Sequence, residues 1–140
     1  MGVIKPETIT CRVDSPHGKI EAGLHPATGG SGEWACSGDM LLESLVSCAG
    51  VTLAAVATAM KIPLLGGTVR AEGALDFRGT LGVNRETPIG FSEIRLSFDL
   101  DTDADDEQLA TLIKLTERYC VVFQTLKQPP TMSVSAARVS

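Results

Sequence analysis

The sequence predicts an α+β fold in which an antiparallel sheet packs on a long central helix, with a second helix beside it. Three observations lead there. Residues 37–61 form one apolar run of helical length. Stretches with apolar residues at every second position flank that run on both sides, and a helical stripe follows the later strands. At 140 residues the chain is long enough to bury its own core, so residues 1–140 are expected to form a single domain.

In chain order, Ile9, Cys11 and Val13 alternate with polar neighbours, residues 15–18 form a turn, and Ile20, Ala22 and Leu24 alternate again, which predicts a β-hairpin. Cys11 falls on its apolar face as a core residue, and His17 and His25 read as turn and loop residues. Residues 25–32 are a glycine-rich approach without a phosphate-binding pattern, and Trp34 seals an edge of the core or lines a pocket mouth.

The central helix follows. Ser37 can cap it, Asp39 puts negative charge in the first turn, and no proline interrupts before Pro63. At ~1.5 Å per residue it would be roughly 36 Å long, enough to cross the whole body. Residues 45–60 carry no charge on any side, so the helix must be covered all round. That uncharged run is shorter than the ~18–20 residues of a membrane span and contains Ser47, Thr52 and Thr58, which argues against a membrane. One sheet covers one side only, and the other side requires the second helix and a partner chain, hence a homodimer.

After a break at Pro63 and Gly66, a strand region carries Val69, Ala71, Leu75 and Phe77. A long connection over residues 79–90 has room for a short strand, and Ile94, Leu96, Phe98 and Leu100 alternate strictly in a strand that pairs with the previous one. Asp105 and Gln108 form a capping box for a second helix whose inward stripe is Leu109, Leu112, Ile113, Thr116 and Cys120. An apolar turn at residues 121–126 leads to a last strand with Met132, Val134 and Ala136 on one face.

A net charge of −5 argues against nucleic-acid binding and favours small molecules or proteins as partners. The first residues lack the apolar core of a signal peptide, so a cytoplasmic protein is expected, where thiols stay reduced. The four cysteines, Cys11, Cys36, Cys48 and Cys120, form no C-x-x-C or Cys/His cluster, so no metal is expected. Cys48 and Cys120 lie on helices that face the core. They are therefore either apolar fillers or a pair able to approach disulfide range, with Cα atoms about 4.4–6.8 Å apart.

The stretch S-G-D-M-L-L-E-S-L-V-S-C-A-G-V-T-L, with E-R-Y-C-V-V-F-Q-T-L-K much later, resembles the OsmC/Ohr family of osmotically induced and organic-hydroperoxide-resistance proteins. The resemblance implies a swapped homodimer with thiol-dependent peroxidase sites at the subunit interface. Cys48 would be the peroxide-attacking residue and Cys120 the resolving one. The substrate would be an organic hydroperoxide and the reductant an external dithiol, with no bound cofactor.

Burial raises a thiol's pKa, and Cys48 is far from its own helix N-terminus, so a cation has to reach it. The family uses an arginine held by a glutamate. The glutamate position is Gly38 here, with Asp39 one step later matching a more distant subgroup, and Asp39 is equally an ordinary first-turn charge. The arginine is open among Arg12, Arg78 and Arg85. Glu43 is read as solvated and Tyr119 as a core aromatic or pocket wall. The alternative function is a non-catalytic relative that binds a small apolar ligand between subunits.

Overall fold

The computed structural model describes residues 1–139. It is an α+β fold with one long helix and two sheets where one was expected. Strands β1 (Gly2–Lys5), β2 (Thr10–Ser15), β3 (Gly18–Gly23) and β4 (Ala35–Cys36) form a four-stranded sheet in that order. The first three are antiparallel, and β4 runs parallel to β3. Helix α1 (Ser37–Ala59) starts where β4 ends. Strands β5 (Leu64–Ala74) and β6 (Glu93–Thr102) form the second sheet, α2 (Phe77–Thr80) sits between them, and α3 (Asp106–Tyr119) and α4 (Val121–Lys127) follow.

Chain contacts resolve two compact units. The first is Met1–Val46 with Thr68–Asp99, and the second is Ser47–Gly67 with the residues from Leu100 onward. In the first unit the β2–β3 hairpin forms as expected, with Ser15 paired to Gly18 at the turn. Strand β1 was missed, because G-V-I-K has no alternation to betray it. The turn into β2 puts Ile9 at φ 53°, so Ile9 is two-thirds exposed and does not take the inward strand position that the alternation assigned to it. Thr10 is buried in its place and donates to Glu21 at 2.6 Å. Lys5 holds the same carboxylate at 3.0 Å. Trp34 packs on Gly23, where any Cβ would approach its ring to 2.9 Å.

The connection after β5 contains a helical turn instead of a strand. Asp76 caps it by accepting from the Arg78 amide at 3.0 Å, so Phe77, placed by its alternation on a strand, opens α2.

Helix α1 buries Leu45, Ala49, Leu53 and Ala57, a row spaced by four residues. The expectation that it is covered all round is not met within this chain: Leu41 is half-buried at best and Val51 is 73 % exposed. By length and composition the helix could cross a bilayer, a property that core helices of water-soluble proteins share. The chain leaves the helix through Lys61, two residues past its end, which adopts a left-handed conformation (φ 56°) while the Ile62 amide reaches back to the Ala57 carbonyl at 2.9 Å and Ile62 is buried.

In the second unit the predicted capping box opens α3: Gln108 N donates to Asp105 Oδ1 at 2.8 Å and Asp105 N to Gln108 Oε1 at 3.1 Å. Its stripe buries Leu112 and Thr116 and runs on to Cys120 just past the helix end. The expected apolar turn is the helix α4. The expected last strand does not form: the described residues beyond Gln128, 129–139, have no regular structure, and Met132 and Val134 are exposed. A strand exists only as part of a ladder, and among the described residues no other strand pairs with this segment.

Candidate functional site

Within the second unit, Cys48 from the middle of α1 meets Cys120 at the junction of α3 and α4, near enough for each thiol to act on the other's ionisation. Each half of this contact has a local cause. Cys48 borders the buried Leu45, Ala49, Leu53 row and is half-buried. Cys120 continues the Leu112, Thr116 row by one more turn, so it is carried fully inside, 1 % exposed. Its φ and ψ of −71° and 108° break the helix there, and α4 starts on a new axis with Cys120 as its N-cap.

That break supplies the electrostatics. The first amides of a helix have no carbonyl partner within it, and those of Val121 and Val122 turn to the Cys48 sulfur. The Val122 amide is the largest influence and holds the Cys48 thiol below the ordinary cysteine range. Burial opposes it, while the Cys120 thiol, the Thr52 hydroxyl and the Val121 amide act with it. All four groups are neutral donors. Cys120 moves the other way: burial pushes its thiol up, and its hydrogen bond to Cys48 and the charge there add to the rise, against the amides of Phe123 and Val122. The arrangement can therefore hold one thiolate beside one thiol.

The supporting residues predicted from sequence stand elsewhere. Arg12, on β2, is paired with Asp14: its Nη2 donates to Oδ2 at 3.5 Å and its Nε stands 3.3 Å from Oδ1. Arg78 is locked onto Asp76 with contacts down to 2.6 Å. Asp39 lines a groove of about 210 Å³ in the first unit with His25, Cys36, Leu42, Phe77 and Phe91. His25 stacks on Phe77 with ring centroids 4.7 Å apart, and Gly73 admits Phe91 where a side chain would collide at 2.5 Å. In place of the cation inferred from the position of Cys48 along α1, the groups that lower its pKa within this chain are neutral donors, the Val122 amide first among them. Sequence reasoning missed Thr52 and the Val121 and Val122 amides. Thr52 could have been found from its place one turn after Cys48. The amides required recognising that residues 121–127 are helical.

The family model described as OsmC-like protein matches residues 30–135, a span that includes both cysteine-bearing segments. An OsmC like protein from Mycoplasma pneumoniae superposes with a TM-score of 0.76 at 16 % identity, over 92 % of this chain and 86 % of that one. An organic hydroperoxide resistance protein OsmC from Legionella pneumophila gives 0.71 at 17 %, over 91 % and 88 %. An organic hydroperoxide resistance protein from Elizabethkingia anophelis gives 0.70 at 17 %, over 91 % and 87 %. No curated protein matches the chain. Structural likeness at these identities speaks for the fold, and the family match runs from the glycine-rich approach, through α1 with Cys48 and the α3–α4 junction with Cys120, into the C-terminal segment; on that evidence the chain belongs to the OsmC-like family.

Proposed function

We propose that this chain is a thiol-dependent peroxidase for organic hydroperoxides, acting as a cytoplasmic swapped homodimer, with Cys48 attacking the peroxide and Cys120 resolving the product. The observation that carries the reading is the pair of neighbouring thiols with opposite tendencies, Cys48 toward the thiolate and Cys120 toward the thiol. Only the thiolate is a competent nucleophile, and the second thiol must stay at hand without competing for the peroxide.

The chemistry balances as follows. The Cys48 thiolate attacks one peroxide oxygen, so an S–O bond forms as the O–O bond breaks. The alkoxide takes a proton from solvent and leaves as the alcohol, and Cys48 becomes a sulfenic acid. The Cys120 sulfur then attacks the Cys48 sulfur, an S–S bond forms and water departs. An external dithiol exchanges with this disulfide, returns both thiols and is itself oxidised. No bound cofactor takes part, and Arg12 and Asp39 have no step in the sequence.

The test is one equivalent of an organic hydroperoxide, followed by intact mass, thiol titration and peptide mapping. Loss of two thiols with a Cys48–Cys120 bridge is expected, and Cys48→Ser should abolish peroxide consumption. Slow, unselective oxidation would leave a non-catalytic protein that binds a small apolar ligand between subunits, and undiminished turnover in that variant would rule out Cys48 as the nucleophile.

A further inference from the structure

The groove of about 210 Å³ that Asp39 lines with His25, Cys36, Leu42, Phe77 and Phe91 lies wholly within the first unit and has no part in the thiol chemistry. A neighbouring hollow of about 230 Å³ shares His25, Cys36 and Phe77 with it and continues toward Leu24 and Ile89. Backbone geometry keeps the space aromatic. The Phe91 ring lies 3.4 Å from where a Cβ of Gly38 would stand, and a Cβ on Gly73 would collide with it at 2.5 Å. His25 is stacked on Phe77 at 4.7 Å between centroids and anchored by the Ala27 amide, which donates to its Nδ1 at 3.0 Å.

Among the described residues lining either hollow, Asp39 is the one acidic or strongly basic side chain. It is exposed, and among the described residues it enters no ion pair and no side-chain hydrogen bond. A full negative charge outweighs the roughly half positive charge at the N-terminus of α1, so the groove is anionic at Asp39 and aromatic elsewhere. Ring faces and a carboxylate attract the same kind of guest, a cation carried on an apolar body.

We propose that this groove is a binding site for a small organic ammonium ion, with its apolar body among Leu42, Phe77 and Phe91 and its charge at Asp39. Each hollow is smaller than the ~300–1,000 Å³ of sites for drug-sized ligands, so the guest is a ring on a short arm. The proposal goes beyond the peroxidase reading and stands without it: Cys48 and Cys120 belong to the other unit, and binding here makes and breaks no covalent bond. Charge-assisted bonds are about twice as strong as neutral ones, and the ring faces add to the same preference, so an ammonium should be favoured over a neutral isostere by about tenfold.

The test uses the full chain with probes of one shape and different charge: 2-phenylethylammonium, 2-phenylethanol and phenylacetate. Affinity is read from amide shifts in NMR titrations and from protection of Cys36 against alkylation, with Cys11 as a half-buried thiol outside the groove. The ammonium is expected to bind saturably, about tenfold tighter than the alcohol, and to slow labelling of Cys36 but not of Cys11, while phenylacetate binds weakest. In Asp39→Asn, which keeps the size and removes the charge, the preference for the ammonium over the alcohol should disappear, with thermal melting to establish folding. Equal affinity of the wild type for ammonium and alcohol, a preference retained in Asp39→Asn, or an ammonium that leaves Cys36 unprotected would overturn the proposal. The charge series on the wild type decides it even if the variant fails to fold.

Discussion

The reactivity of Cys48 is set by which donors stand around a single sulfur. A half-buried thiol in an apolar helix would ordinarily be hard to ionise, because burial penalises the anion. Here the Val122 amide outweighs burial and the Cys48 pKa is lowered, while burial dominates at Cys120 and its pKa is raised. The sign of the pH dependence follows. As pH rises, Cys48 should ionise below the ordinary cysteine value of about 8.5, and Cys120 above it. The charge on Cys48 then holds Cys120 protonated longer, so the two ionisations belong to the pair. Site-resolved alkylation from acid to alkaline pH should therefore label Cys48 well before Cys120. Simultaneous labelling of the two, or Cys120 first, would contradict the assigned polarity. Cys120 is legible as inward-facing from its stripe position, and Cys48 only from the uncharged run around it. Their donors were not, since an amide carries no sequence signature and Val121 and Val122 look like any apolar pair.

At the scale of elements, local patterns were read well where one face of a segment does one job. The β2–β3 hairpin, the pairing of β5 with β6, the length of α1 and the capping box of α3 all follow from a few consecutive residues. The failures occur where the chain changes direction. Ile9 was placed on a strand by its alternation, yet the turn from β1 needs a left-handed residue there. Phe77 was likewise claimed by Asp76 as the start of α2. The end of α1 offers a test. Lys61 occupies the left-handed region where helices commonly stop with glycine, and a non-glycine residue costs roughly 1–2 kcal/mol there. Glycine relieves that strain but gives up more chain entropy on folding. Lys61→Gly is therefore expected to stabilise the protein by about 0.5–1 kcal/mol, read as a higher urea midpoint at unchanged slope. A lower midpoint would show that the Lys61 side chain contributes more than its backbone costs.

For the whole molecule, the question is what covers the rest of α1. Its Leu45, Ala49, Leu53, Ala57 row is buried, but Val51 is 73 % exposed in a stretch with no charge to solvate it. A second copy is the proposed cover. In a monomer an exposed Val51→Glu change should be close to neutral. In a dimer it would bury a carboxylate in an apolar contact at a cost of several kcal/mol. Sedimentation at micromolar concentration should accordingly find a wild-type dimer, and a Val51→Glu variant that dissociates while keeping its helical content. A wild-type monomer would remove the basis for the swapped assembly. The same scale separates what each source of information decided. Sequence by itself determined the α+β class, the two principal helices, the β2–β3 and β5–β6 pairs and the inward stripe that ends at Cys120, because periodicity and capping are properties of neighbouring residues. Tertiary structure alone decided that these two thiols are neighbours, that the first amides of α4 act on one of them, and that the described residues after Gln128 join no strand. Each of those depends on the direction in which a distant part of the chain arrives, and that direction is set by packing and by the break at Cys120, which no local pattern encodes.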